Sequence, residues 1–182
     1  MRVVAGAYAG RRLAAPRGDR TRPTPDRVRE AVFSILGPLD GLRVLDLYAG
    51  SGALGIEALS RGALEATFVD SDGAAARAVR ENLERVGSDR GRVFRADALS
   101  FLRGAARHED RWDLVLLDPP YRLAPRLGPA LGPLLVPVLG AEARIVCESS
   151  PKHPLRLDLP AKGERRYGDT LIAFHGAPGS SP

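Results

Sequence analysis

The residues best suited to chemistry form four short motifs, each built on a carboxylate. Asp118-Pro119-Pro120-Tyr121 is the most informative. Two consecutive prolines stiffen the backbone and expose carbonyls that no proline N–H can pair. Asp118 and the Pro119 carbonyl can then accept both hydrogens of an exocyclic amine. Tyr121 offers a face on which a base stacks, worth ~1–3 kcal/mol. The second motif runs from Asp46 through Tyr48, Gly50, Ser51 and Gly52 to Gly55, with its glycines in the spacing of a nucleotide-binding turn. Such glycines let a ligand approach the backbone, and the helix start beyond them presents free N–H groups. NAD, FAD and S-adenosylmethionine all use this spacing. Asp46 separates them, because a carboxylate there repels a pyrophosphate. It accepts instead, directly or through water, from the ammonium group of S-adenosylmethionine.

Asp70 follows Gly50 by twenty residues. At a strand end it can accept from both ribose hydroxyls of a nucleoside, whereas Asp72 suits the cap of the next helix. Asp97-Ala98 has two readings of equal weight. The carboxylate can accept from an adenine amino group while a backbone N–H faces a ring nitrogen, or Asp97 can cap the following helix.

These motifs need a frame that brings them together, and the hydrophobic pattern supplies one. Runs at 43–47, 66–69, 92–95, 114–117 and 143–147 read as strands. Helical stretches at 53–60, 74–86, 99–103 and 127–139 separate them. The run 114–117 is apolar on both faces, as expected at the middle of a parallel sheet. Segments 155–159 and 170–174 read as two final strands around Gly168-Asp169. Near the N-terminus, Val3-Val4-Ala5 and the segment around Leu13 suggest a hairpin. Thr24 is a candidate N-cap with Pro25 at the first helical position, and Val28, Ala31, Val32, Ile35 and Leu39 mark the buried face of that helix. The expected division is a basic hairpin-and-helix extension over 1–40, an α/β body over 41–175 and a disordered tail over 176–182. Strands alternating with helices imply a mostly parallel sheet covered on both faces, with ligands beyond the carboxyl ends of the strands. All four motifs follow strands, so they are expected on one edge.

Composition narrows the setting. The chain has 182 residues, 44% of them hydrophobic, enough for one core of ordinary size. It has no membrane-length apolar run and no secretory leader pattern at its start. The single Cys147 excludes an internal disulfide and a cysteine-cluster metal site, so a cytoplasmic protein is expected. Cys147 itself reads as a buried thiol and Trp112 as packing. His108, His153 and His175 lack ligand spacing and read as surface residues. Net charge is +5, and only Lys152 and Lys162 among the 27 cations are lysine. Residues 1–40 hold eight arginines against four acids. That concentration favours a face that meets nucleic acid, with Arg11, Arg12, Arg22, Arg27 and Arg29 as candidate phosphate contacts. Arg22 and Arg27 can alternatively form structural ion pairs or approach the carboxylate of the cofactor.

Together the motifs resemble a class I S-adenosylmethionine-dependent methyltransferase that acts on amines. The head narrows this further. Arg2 to Gly6, Gly10 to Leu13, Arg22 to Glu30, Asp46 to Gly55, Asp118 to Tyr121 and Tyr167-Gly168-Asp169-Thr170 resemble, in order, the RsmD family. That family usually has a second hydroxyl residue where this chain has Pro25. The resemblance implies a Rossmann-like fold with a seven-stranded, mostly parallel sheet. It implies methylation of N2 of one guanine in small-subunit (16S) ribosomal RNA, with S-adenosylmethionine as donor and no metal. The substrate it implies is an assembling 30S particle, approached by a monomer. Methylation of adenine N6 or cytosine N4 in DNA also suits an Asp-Pro-Pro-Tyr loop, and only the head and Tyr167 to Thr170 argue against it. A nicotinamide oxidoreductase is opposed by Asp46 and the double proline. A catalytically silent RNA-binding assembly protein is opposed by the complete set of site residues.

Overall fold

A computed structural model describes residues 1–16 and 24–179. Strand β1 (Arg43–Leu47) leads through α2 (Ala53–Ser60) to β2 (Glu65–Asp70), and α3 (Gly73–Val86) leads on to β3 (Gly91–Arg95). Then come α4 (Ala98–Arg107), β4 (Trp112–Leu117), α5 (Ala124–Leu135) and β5 (Leu139–Ser149). A hairpin of β6 (Ala161–Tyr167) and β7 (Thr170–Gly176) ends the sheet, and α1 (Asp26–Leu36) precedes it all. The strand order is β3-β2-β1-β4-β5-β7-β6. β1 to β5 are mutually parallel where they pair, and β7 is antiparallel to both neighbours. The order reverses between β1 and β4, which opens a crevice at their carboxyl ends.

Alternation along the strands divides the core into two layers. Val44, Phe68, Leu114, Leu116 and Val146 face α1, α2 and α3. Leu45, Leu47, Val115, Leu117 and Cys147 face α4 and α5. β4 is thus apolar on both faces, as its run of leucines and valine predicts. Trp112 packs in the second layer with its ring 5.9 Å from that of Phe101.

The head belongs to the first layer. Val3 and Leu13 are buried in the same core as α1 and the strands. Arg2 and Arg12 form an antiparallel bridge, so the expected hairpin is present as a single bridged pair. It is pinned through its backbone. Buried Glu57 on α2 accepts the N–H groups of Val4 and Ala5 at 2.7 and 3.0 Å. Buried Asn82 on α3 exchanges two hydrogen bonds with Ala14 and donates a third to the Ser51 carbonyl.

Four expectations need correction. Segment 155–159 is not a strand. It crosses α5 so closely that a Cβ on Gly128 would stand 2.0 Å from the Arg156 carbonyl oxygen. Leu155 and Leu157 are buried there without a ladder partner, which explains their misleading alternation. The strand partner of β7 is instead the charged β6, whose lack of buried residues is normal for an edge. The tail boundary at 176 comes early, because Gly176 closes β7 and buried Ala177 donates to the Ala143 carbonyl. The α1 face is also turned: Arg29, Phe33 and Leu36 are buried with Val28 and Val32, and Ile35 is exposed. Finally, His175 is buried, with Nδ1 3.2 Å from the Leu159 carbonyl.

Candidate active site

The crevice holds a cavity of about 570 Å³ that both the β1 and β4 loops line. Asp46, Tyr48, Gly50, Ser51 and Asp70 stand on one side, and Asp118, Pro119, Pro120 and Tyr121 on the other. Three of the four sequence motifs therefore share one space.

The β1 side is held by backbone donors on carboxylates. Gly50 (φ 54°) and Gly52 (φ 76°) occupy left-handed backbone that favours glycine, and so does Tyr48 (φ 62°). A bulky residue there is strained, by about 1–3 kcal/mol, and such strain concentrates at ligand sites. No atom lies nearer than 4.0 Å to a Cβ placed on Gly50, so that glycine opens space beside the cavity. Gly55 has a different task. A Cβ there would stand 2.3 Å from the Phe68 ring and 3.0 Å from Asp46 Oδ2, so it lets α2 pack on β2. Its N–H donates to Asp46 Oδ2 at 2.9 Å. Burial pushes the Asp46 carboxyl up to about 8, helped by the Asp70 charge and opposed by that hydrogen bond. Asp70 accepts the N–H groups of Gly50 and Asp72, each at 2.9 Å. Asp72 caps α3 by accepting from the Ala74 N–H at 2.8 Å. The oxygens of Asp46 and Asp70 can accept hydrogen bonds from a ligand's ammonium and hydroxyl groups, which an anionic pyrophosphate does not offer.

Asp97 caps a helix. Its Oδ2 accepts the Ser100 N–H at 2.9 Å and starts α4. Asp97 and buried Ala98 do not line the cavity with the other three motifs. Asp97 still lies close to Tyr48, whose phenol is pushed up to about 12 by burial, then by Asp97 and Asp70.

The β4 side is built from side chains contributed by distant segments. The Asp118 N–H reaches the Leu47 carbonyl at 3.5 Å, and the Pro120 carbonyl accepts from Leu123 N–H at 2.8 Å as the chain turns toward α5. The Tyr121 phenol donates to Glu148 Oε1 at 3.2 Å, with the Thr170 hydroxyl nearby. Burial, then the Glu148 charge, raises that phenol well above its usual value. Thr24 does not cap α1; its hydroxyl donates to Glu148 Oε2 at 2.7 Å, and Pro25 holds the capping position without a side-chain bond. Glu148 was not among the residues read from sequence, where the fifth strand stopped at Cys147. Register was the available signal: Cys147 pairs with Leu117, so Glu148 stands level with Asp118.

The arginine candidates separate. Arg29 is fully buried, with Nη2 2.6 Å from both Asp26 Oδ1 and the Arg2 carbonyl, so it is a structural residue and not a phosphate contact. Arg11 is exposed but donates to the Arg85 carbonyl in the last turn of α3, the end directed away from the cavity loops. Arg12 is exposed beside it in the chain. Arg27 is exposed in the first turn of α1, three residues after Thr24, which lines the cavity. Arg22 lies outside the described residues.

Comparison with known proteins follows the same lines. The family described as conserved hypothetical protein 95 matches residues 1–175. YlbH of Bacillus subtilis (strain 168), provisionally named an rRNA methyltransferase, is 48% identical over 180 residues, covering 96% of this chain and 98% of its own. Ribosomal RNA small subunit methyltransferase D of Escherichia coli (strain K12) is 41% identical over 156 residues, 85% of this chain and 77% of its own. The solved structure of Escherichia coli yhhF, provisionally named a methyltransferase, superposes with a TM-score of 0.82 at 34% identity over 97% of both chains.

Proposed function

The chain belongs to the conserved hypothetical protein 95 family, and on that premise we propose that it is an S-adenosylmethionine-dependent methyltransferase of small-subunit ribosomal RNA. Its acceptor in this reading is the exocyclic N2 amine of one guanine. The observation that carries the reading is the shared cavity: an acidic glycine loop faces a proline-stiffened Asp-Pro-Pro-Tyr turn across the β1–β4 crevice. The names of the relatives support ribosomal RNA as the substrate, and the family resemblance supports guanine N2 within an assembling 30S particle.

The donor supplies a methyl group already activated on a sulfonium. The protein's task is to align a poor nucleophile, because the guanine amine's lone pair is delocalised into the ring. Asp118 and the Pro119 carbonyl accept the two amine hydrogens. That favours a more tetrahedral nitrogen and stabilises positive charge as it develops there. Tyr121 stacks on the base and fixes its plane, so positioning lowers the barrier further. Asp46 and Asp70 orient the donor from the opposite wall. A paired guanine cannot enter the cavity, so the target is unpaired or flipped out. Arg27 stands where it can hold an RNA phosphate near the crevice. The protein acts as a monomer in the cytoplasm in this reading; no helix among the described residues is long and apolar enough to cross a membrane.

The test is transfer of labelled methyl to small-subunit particles isolated from cells lacking this gene, with DNA as the competing acceptor. Label is expected at one guanine N2 of the 16S RNA. Label in DNA, or in no acceptor, overturns the reading.

A further inference from the structure

One buried polar cluster stands against the target side of the crevice and contains no residue read from sequence as catalytic except Tyr121. Glu148 is 4% exposed at the carboxyl end of β5. Both carboxylate oxygens are engaged: Oε2 by the Thr24 hydroxyl at 2.7 Å and Oε1 by the Tyr121 phenol at 3.2 Å. Thr170, at the start of the antiparallel β7, lies beside the same phenol. The buried Arg29 lies near enough for its charge to act on Glu148. Five polar groups from four separate parts of the chain thus converge behind one aromatic ring.

Packing alone does not ask for this arrangement. An apolar side chain would fill the same volume without desolvating a carboxylate. What Glu148 adds is direction. Tyr121 is only half-buried, on a turn between β4 and α5, and the phenol oxygen is the end of its ring that the sheet can hold. The Glu148 carboxylate on β5 holds the phenol oxygen from the sheet at 3.2 Å, with Thr170 on β7 beside it.

We propose that Glu148 is the positioning residue of the base-receiving site: its carboxylate fixes the Tyr121 ring in the plane on which the flipped base stacks. Glu148 does not touch the base in this scheme and does not line the cavity. Through Thr24 the same carboxylate ties that ring to the residue that leads into α1. The inference rests on the proposed reaction, in which Tyr121 is the stacking platform.

The experiment measures single-turnover methyl transfer at saturating donor and particle. Glu148→Leu is expected to slow transfer by about 10²-fold, the scale of a 1 Å misplacement, with S-adenosylhomocysteine affinity unchanged. Glu148→Gln keeps an acceptor for the phenol and is expected to recover most of the rate. In a Tyr121→Phe background, Glu148→Leu should add little further loss, because the phenol it holds is gone. Equal losses in both backgrounds, or no recovery with glutamine, overturn the proposal. A second readout needs no substrate. With ζ-¹³C-tyrosine labelling, the signal missing from Tyr121→Phe should move in Glu148→Leu and stay in Glu148→Gln. An unmoved signal in Glu148→Leu also overturns the proposal, whether or not the protein is active. Wild type that transfers no methyl to the particle sinks the functional reading instead, which keeps the two failures apart.

Discussion

The two walls of the crevice are built by different means. The β1 wall is local: its residues lie between Asp46 and Asp72, and its hydrogen bonds run from backbone N–H groups to carboxylates a few residues away in space and at most twenty in sequence. The β4 wall is backed by residues 24, 121 and 148, joined side chain to side chain. A wall made of short-range backbone bonds forms wherever its strand and helix form. A wall made of long-range side-chain bonds depends on the whole sheet being in register. The first suits a ligand common to many enzymes, and the second a target particular to one.

Five further substitutions sharpen or break that contrast. The largest effect is expected on the β4 wall. Asp118→Ala should slow methyl transfer by about 10³-fold, the scale of removing one preorganised group that meets transition-state charge, and leave donor affinity intact by calorimetry. Near-normal turnover would remove Asp118 from the reaction. On the β1 wall, Gly55→Ala should act on structure. Its methyl group collides with Phe68 and Asp46, so chemical denaturation should show a loss of about 2 kcal/mol, within the usual cost of overpacking. A stable variant would mean that α2 can shift away from β2 without penalty.

The third measurement concerns pH. The Asp46 carboxyl is pushed up to about 8, so below that pH it is protonated in the unliganded protein. A cationic ligand then binds more tightly as pH rises from 6 toward 8, by up to about tenfold per pH unit. The gain ends near 8, where an α-amino group of pKa about 7.7–8.0 loses its own proton. Asp46→Asn should flatten the rise in S-adenosylhomocysteine affinity. The same shift makes the unliganded fold lose stability as pH rises from the ordinary carboxylate range to about 8, since the folded state binds the extra proton. The smallest effect is expected from the arginines. Arg27→Ala should reduce the salt dependence of RNA binding by a slope of about 1, whereas Arg11→Ala, at the far end of α3, should not. Equal effects would extend the RNA-binding face well beyond the crevice.

The same contrast explains what was legible in the sequence. Asp46, Gly50, Gly52, Gly55 and Asp70 announce themselves because their spacing is the structure. The Asp118 turn is legible for the same reason, two prolines after an apolar strand. Glu148 and Thr24 are not, because their meaning lies in a pairing 124 residues apart. Arg29 is one arginine among many in the head, and nothing local says that it is the one buried; Asp26 three residues earlier is the only trace. β6 hides because an edge strand with no buried residue carries no hydrophobic period. Segment 155–159 misleads for the converse reason, carrying the period while packing on a helix. Asp97 carries two readings in the sequence, and the capping bond shows one of them.

The way the first sixteen residues are seated has an evolutionary consequence. Their backbone N–H groups end on Glu57 and Asn82, side chains that belong to the helices behind the nucleotide loop. Such a head cannot be traded between enzymes like a bolted-on adaptor, because a recipient lacking those two sockets would be left with orphaned amides and an uncovered Val3 and Leu13.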